Sequence, residues 1–171
     1  MSIFPALLSC ISKGLGTYIG ETSTKAAVMA VANHGTIPSF SKYSGTVEWK
    51  NAIFLWINYR APSNEVQNEF SRGGRCINWF GGSQVYADSP IIQKLIEYSD
   101  ATPCAVDSEV TLSGSPCVVL FLRCPKEKYI CLGRVKYEAH DLDVHPVQFI
   151  WSFVDFGRLA SRIEFQELLS M

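Results

Sequence analysis

Three β-type runs follow one another in the C-terminal half of the chain: VVLFLR at 118–123, YICLGRVKYE at 129–138 and VQFIWSFV at 147–154. Each is rich in β-branched and aromatic residues, the types that fit a pleated, half-buried surface. Pro125, Lys126, Glu127 and Lys128 make a hairpin-length link between the first two, and residues 140–146 join the second to the third. Consecutive strands with such short links pair as neighbours, which predicts an antiparallel meander. Whatever fold the chain adopts has to accommodate that sheet.

Upstream, residues 47–59 (VEWKNAIFLWINY) hold the first long apolar run. It predicts a strand at 52–58, buried on both sides and ended by Pro62. CINWF at 76–80 predicts another strand. Asp88-Ser89-Pro90 is a helix start with proline in the first turn, and Ile91, Ile92, Leu95 and Ile96 fall at helical spacing, so residues 90–98 read as a helix. Residues 22–33 have helix-forming content, with Thr22 or Ser23 as cap and Gly35 as stop. Residues 35–45 read as a loop, 63–70 as a short helix or turn, and 158–169 as a helix or capping turn. The chain reads as one domain over 1–171, with a loosely organised N-terminal segment (1–45) and a β-rich core (46–171). The fold class is α+β: a mostly antiparallel, partly closed sheet with flanking helices.

Composition narrows the function. Hydrophobic residues make up 47% and charged residues 18%, which suits a folded core rather than disorder. A net charge of −1 argues against a sequence-independent phosphate binder, yet allows a small pocket for one base. No run reaches the roughly eighteen apolar residues of a membrane span. The N-terminus lacks a basic start and is interrupted by Pro5 and Ser9. A nuclear or cytoplasmic protein without a membrane partner is expected. Cys10, Cys76, Cys104, Cys117, Cys124 and Cys131 form no C-x-x-C pair, and only His34, His140 and His145 could add imidazoles. Six free thiols and no metal are therefore expected.

Catalytic motifs are missing. There is no G-x-S-x-G elbow, no phosphate-cradling P-loop and no H-E-x-x-H, and Gly14-Leu15-Gly16 has no third glycine at dinucleotide spacing. Asp141 and Asp143, flanked by His140 and His145, read as a solvated hairpin turn rather than a metal or general-base site. The chain is expected to be a binding module, not an enzyme, with no cofactor.

The most informative stretch is INWFGGSQ at 77–84. Two large aromatics precede two glycines and two hydrogen-bonding side chains. Glycine lets a backbone approach a ligand closely, a ring can stack on a flat ligand, and Ser and Gln can read its edge. The same pattern also fits a strand ending in a glycine turn, with Trp79 and Phe80 packed in the core.

In order, INWFGGSQ, VVLFLR, YICLGRVKY and VQFIWSFVDF resemble the PUA-like domains attached to some helicases and restriction proteins. The resemblance covers about residues 76–156, although the hallmark motifs of the related SRA and YTH readers are absent. It implies a small β-barrel with flanking helices and a non-catalytic nucleic-acid reader, DNA favoured over RNA, that holds a modified or flipped base in an aromatic pocket. On that reading Trp79, Phe80, Ser83 and Gln84 contact the base, with Trp56 and Tyr59 as further walls. Arg123, Arg134, Arg72 and Arg75 would meet phosphates, and Trp79→Ala would weaken binding while leaving the fold intact. A protein-interaction or scaffold domain is the alternative, since near-neutral charge and abundant aromatics suit it equally.

Overall fold

The computed structural model describes residues 14–19, 24–32, 35, 39, 41, 44–49, 52–62, 66–98 and 117–171. Helix α1 is Lys25–Ala32, followed by strands β1 (Thr46–Trp49) and β2 (Ala52–Asn58). A two-residue strand β3 (Phe70–Ser71) leads through a 3-10 turn into β4 (Cys76–Phe80). Helix α2 is Pro90–Glu97. Strands β5 (Cys117–Arg123), β6 (Ile130–Asp141) and β7 (Gln148–Phe153) come next. Two short helices, α3 (Phe156–Leu159) and α4 (Ile163–Ser170), complete the described chain.

The seven described strands form one sheet in the order β1-β2-β5-β6-β7-β4-β3. β5, β6 and β7 are the antiparallel meander read from the sequence. Every adjacent pair is antiparallel except β2 and β5, which run parallel. A parallel pair needs a crossover, and residues 59–116 supply it, with β3, β4 and α2 inside that stretch. The sheet is open: β1 and β3 are its two edges and do not meet, so the described strands do not close into a barrel.

β2 and β5 explain the layering. In β2, Ile53, Leu55 and Ile57 face one side, with Val118, Leu120 and Leu122 of β5 beside them. Ala52, Phe54 and Trp56 face the other, beside Cys117, Val119 and Phe121. Uninterrupted apolar sequence is what a strand covered on both faces requires. The first face is the larger core, closed by Ile92 and Leu95 of α2, Leu159 of α3, and Phe165 and Leu168 of α4. The second is covered by Val28 and Met29 of α1 and by Ile19.

β6 bends the sheet around the larger core. Its first half pairs with β5 and its second with β7, and the register slips once in each half. At the first slip Gly133 adopts φ 81°, a left-handed conformation that favours glycine. Each inserted residue kinks and twists the strand. The far part of the sheet therefore turns Trp79, Phe149, Trp151 and Phe153 inward onto the same core as Leu55 and Leu120.

One buried cation tethers α1. The Lys25 ammonium donates to the carbonyls of Ser41 (3.0 Å) and Ser44 (2.6 Å) and sits 5.3 Å from the centre of the Trp56 ring. Burial, and after it Arg123, lowers its pKa from 10.5 to about 8. Below pH 8 the amine is charged in the folded and unfolded states alike, and the fold bears the desolvation cost. Between about pH 8 and 10.5 the unfolded chain binds more proton, so that cost disappears. Relative to Lys25→Met, the wild type should gain stability as pH rises through that window, measured by urea denaturation. Phe121→Ala, which empties a fully buried ring site, should cost about 3–5 kcal/mol, whereas Ile163→Ala at an exposed position should stay within about 0.5 kcal/mol.

Candidate functional site

The INWFGGSQ segment runs from inside the core out to the surface. Trp79 is in phase with Ile77 on β4, is 3% exposed, and packs against Phe149 with ring centres 5.9 Å apart. Phe80 is half-buried at the strand end, opposite Gln148. The close approach that demands glycine is to protein: a Cβ on Gly81 would lie 2.8 Å from Val147 Cγ2. Ser83 and Gln84 then emerge at the surface, both exposed.

The other expected walls lie elsewhere. Trp56 is buried on the opposite face of the sheet, stacked on Phe121 at 4.5 Å and edge-on to Tyr129 at 4.8 Å. Tyr59, beyond the end of β2, is buried against Phe70 at 5.5 Å. Trp79, Trp56 and Tyr59 therefore share no cleft, and the sheet itself separates Trp79 from Trp56. Trp79→Ala also cannot be a binding-only change, because the ring fills core.

The four arginines divide by burial. Arg134 is 4% exposed, and its Nε and Nη2 donate to both carboxylate oxygens of Asp155 at 2.9–3.2 Å. That bidentate pair joins β6 to the start of α3 and removes Arg134 from any phosphate-binding set. Arg123 donates to Asn58 Oδ1 at 2.7 Å and lies 4.6 Å over the Tyr129 ring. Arg72 and Arg75 are exposed at either end of a glycine turn. Gly74 there has φ 85°, and a Cβ on it would meet Leu169 at 2.8 Å. Arg72 pairs with Glu138 at 3.2 Å, and Arg75 lies 4.6 Å over Phe156. A hydrogen bond from Ser152, then Arg72, holds the Glu138 carboxyl below its usual range. Exposed ion pairs of this kind contribute little, so a phosphate could displace Glu138 at small cost.

Exposed rings occur instead on the β6–β7 hairpin and the turn it touches. His145 Nε2 donates to the Ser83 carbonyl at 3.1 Å, tying the hairpin tip to the INWFGGSQ turn. Tyr86 lies flat on His145, with ring centres 4.7 Å apart and planes 11° from parallel. Its backbone is fixed by a hydrogen bond from its N–H to Ser89 Oγ at 2.8 Å. A second pair lies on the inner face of the hairpin, where Tyr137 Oη and His140 Nδ1 share a 2.8 Å hydrogen bond above Phe149. Asp141 takes part in a tight turn, accepting from the Asp143 N–H at 2.9 Å.

The sequence reading missed Tyr86 and Tyr137. In a regular strand residues 137 and 140 would face opposite sides; the slip at Glu138 puts both on one face. Among the described residues, no group of three or more His, Cys, Asp or Glu side chains is placed to hold a metal, and Cys76, Cys117, Cys124 and Cys131 form no disulfide with one another. Cys10, Cys104 and His34 lie outside the described residues. No helix among the described residues is long and apolar enough to cross a membrane. No protein-family model matches the chain, and no curated protein matches it either.

Two changes separate core from surface. Trp79→Ala should cost about 3–5 kcal/mol in urea denaturation, the usual range for emptying a buried aromatic site. Asp155→Ala should cost a similar amount, about 3–5 kcal/mol, because it leaves the Arg134 guanidinium buried without its partner.

Proposed function

We propose that this protein is a non-catalytic module that binds nucleic acid by taking a base onto the exposed Tyr86–His145 stack. The observation that carries this reading is that stack: Tyr86 is 52% exposed and parallel to an imidazole that the Ser83 carbonyl fixes. Bases stack on such rings whatever their sequence, because every base has a π-face. Ser83 and Gln84 reach solvent beside it and offer donors and acceptors for a base edge. Arg72, Arg75 and Arg123 are the phosphate contacts of this reading; Arg123 is held by the neutral Asn58 amide, Arg75 lies over the Phe156 ring, and Arg72 pairs with the exposed Glu138 carboxylate. The resemblance of residues 76–156 to PUA-like readers points the same way and favours DNA over RNA.

A protein partner is the second reading. Val144, 40% exposed, lies at the same hairpin tip as His145, and Asp88, Asp141 and Asp143 are exposed on the same two segments. An apolar spot among carboxylates suits a protein surface better than a phosphate chain.

Fluorescence anisotropy with single- and double-stranded DNA and RNA oligonucleotides, modified and unmodified, separates the two. Stacking contributes about 1–3 kcal/mol per base, so Tyr86→Ala should weaken binding roughly tenfold with an unchanged unfolding midpoint. Arg72→Ala should weaken every sequence alike and reduce the salt slope by about 1. If no oligonucleotide binds, the protein-partner reading replaces this one. If binding survives Tyr86→Ala unchanged, the stack is not the site.

A further inference from the structure

A cleft of about 260 Å³ lies between the β5–β6 turn, helix α4 and Tyr18. Its apolar lining includes Ile130 and Leu168, both buried, with exposed Met171 and the Cys124 thiol beside them. One wall is the Tyr18 ring, 43% exposed. Three carboxylates line the remainder: Glu127 from the turn, and Glu164 and Glu167 from successive turns of α4. Among the described residues none of the three is in an ion pair. Among the described residues Lys128 is the lining's single cation.

The chemistry of that lining is directional. A flat electron-rich ring and carboxylates attract a cation, and Ile130 and Leu168 accept an aliphatic stem. The resting structure already places such a group there, with Lys128 Nζ 5.7 Å from the centre of the Tyr18 ring. The carboxylates act on the same ring: burial first, then Glu127, Glu164 and Glu167, raise the Tyr18 hydroxyl above its ordinary pKa. Glu164 has a local role as well, since an acidic residue in the first turn of α4 favours the helix. Glu127 is outside that helix and has no such role. The cleft is also smaller than the roughly 300–1,000 Å³ that drug-sized ligands occupy, which matches a group the size of one side chain.

We propose that this cleft binds a primary alkylammonium group on an aliphatic stem, with the head on the Tyr18 ring among Glu127, Glu164 and Glu167 and the stem against Ile130 and Leu168. Lys128 is the resting occupant of the ring, and an incoming ammonium displaces it. The source is either a free polyamine or the side chain of a peptide lysine. The proposal is independent of the nucleic-acid reading, since no residue is shared.

The test is an NMR titration of the full chain, following ¹⁵N amide signals. Spermidine stands for the free amine, Nα-acetyl-lysine amide for the peptide side chain, and Nα-acetyl-norleucine amide for the stem without charge. Saturable shifts at Tyr18, Ile130, Glu164 and Leu168 are expected with one or both amines and not with the norleucine compound. The amine that binds tighter identifies the source. Lys128→Ala, which uncovers the ring, should tighten binding about two- to fivefold, the size of one exposed cation–ring contact. Glu164→Gln with Glu167→Gln should weaken it by at least as much, and both positions reach solvent, so the fold should tolerate the exchange. Equal shifts with the norleucine compound, unchanged affinity in the double Gln variant, or affinity unaltered by Lys128→Ala would each overturn the proposal. So would shifts scattered over the other acidic residues without saturation.

Discussion

Strands β2 and β5 run parallel with apolar side chains on both faces, so neither face can be left to water. An antiparallel sheet can cover one side and wet the other, but this pair cannot. The two covers differ. On one face the sheet supplies much of its own cover, because the slips in β6 swing β7 and β4 round until Trp151 and Trp79 join Leu55 and Leu120 in one core. On the other face the cover is α1, held by a lysine whose ammonium lies among backbone carbonyls and over Trp56. The Arg134–Asp155 pair serves the same architecture by fastening α3 to β6 as the chain turns from the sheet to its closing helices.

Strands defined by composition were legible in the sequence. Ala52–Asn58 and Cys76–Phe80 come out with the bounds read from the residues, and the meander and the proline-started helix come out within a few positions. β1 and β3 were not legible. Thr46–Trp49 merges by pattern with the strand that follows, and two residues at Phe70 are too few for any periodicity. The parallel pairing of β2 with β5 was also hidden, because it depends on where a long crossover returns and not on local sequence. That the described strands stay open was hidden for a related reason: which edges meet is a tertiary property.

The candidate site was harder to read, and the misses share one cause. A ring's type can be seen in a sequence, but its side of a strand depends on phase. Trp79 alternates with Ile77 into the core, Trp56 alternates with Phe54 to the opposite face, and Arg134 enters the protein at a slip in β6. Tyr137 and His140 meet because a second slip puts them on one side. Ser83 and Gln84 are the exposed members of the expected base-contacting set, and the structure places them beside rings that the sequence reading did not choose.

The Tyr86–His145 stack lies where the β6–β7 hairpin meets the turn after β4. The Tyr86 backbone N–H is held by Ser89 and the His145 ring by the Ser83 carbonyl, so in the proposed reading the stack needs little ordering to take a flat ligand. The measurement that tests this most directly is a ¹H–¹⁵N titration of the wild-type chain with the oligonucleotide that binds best in solution. The account predicts that the largest shifts fall on Ser83, Gln84, Tyr86 and His145, with smaller ones at Arg72 and Arg75. Shifts confined to other surfaces, with residues 83–86 and 145 unmoved at saturation, would contradict it.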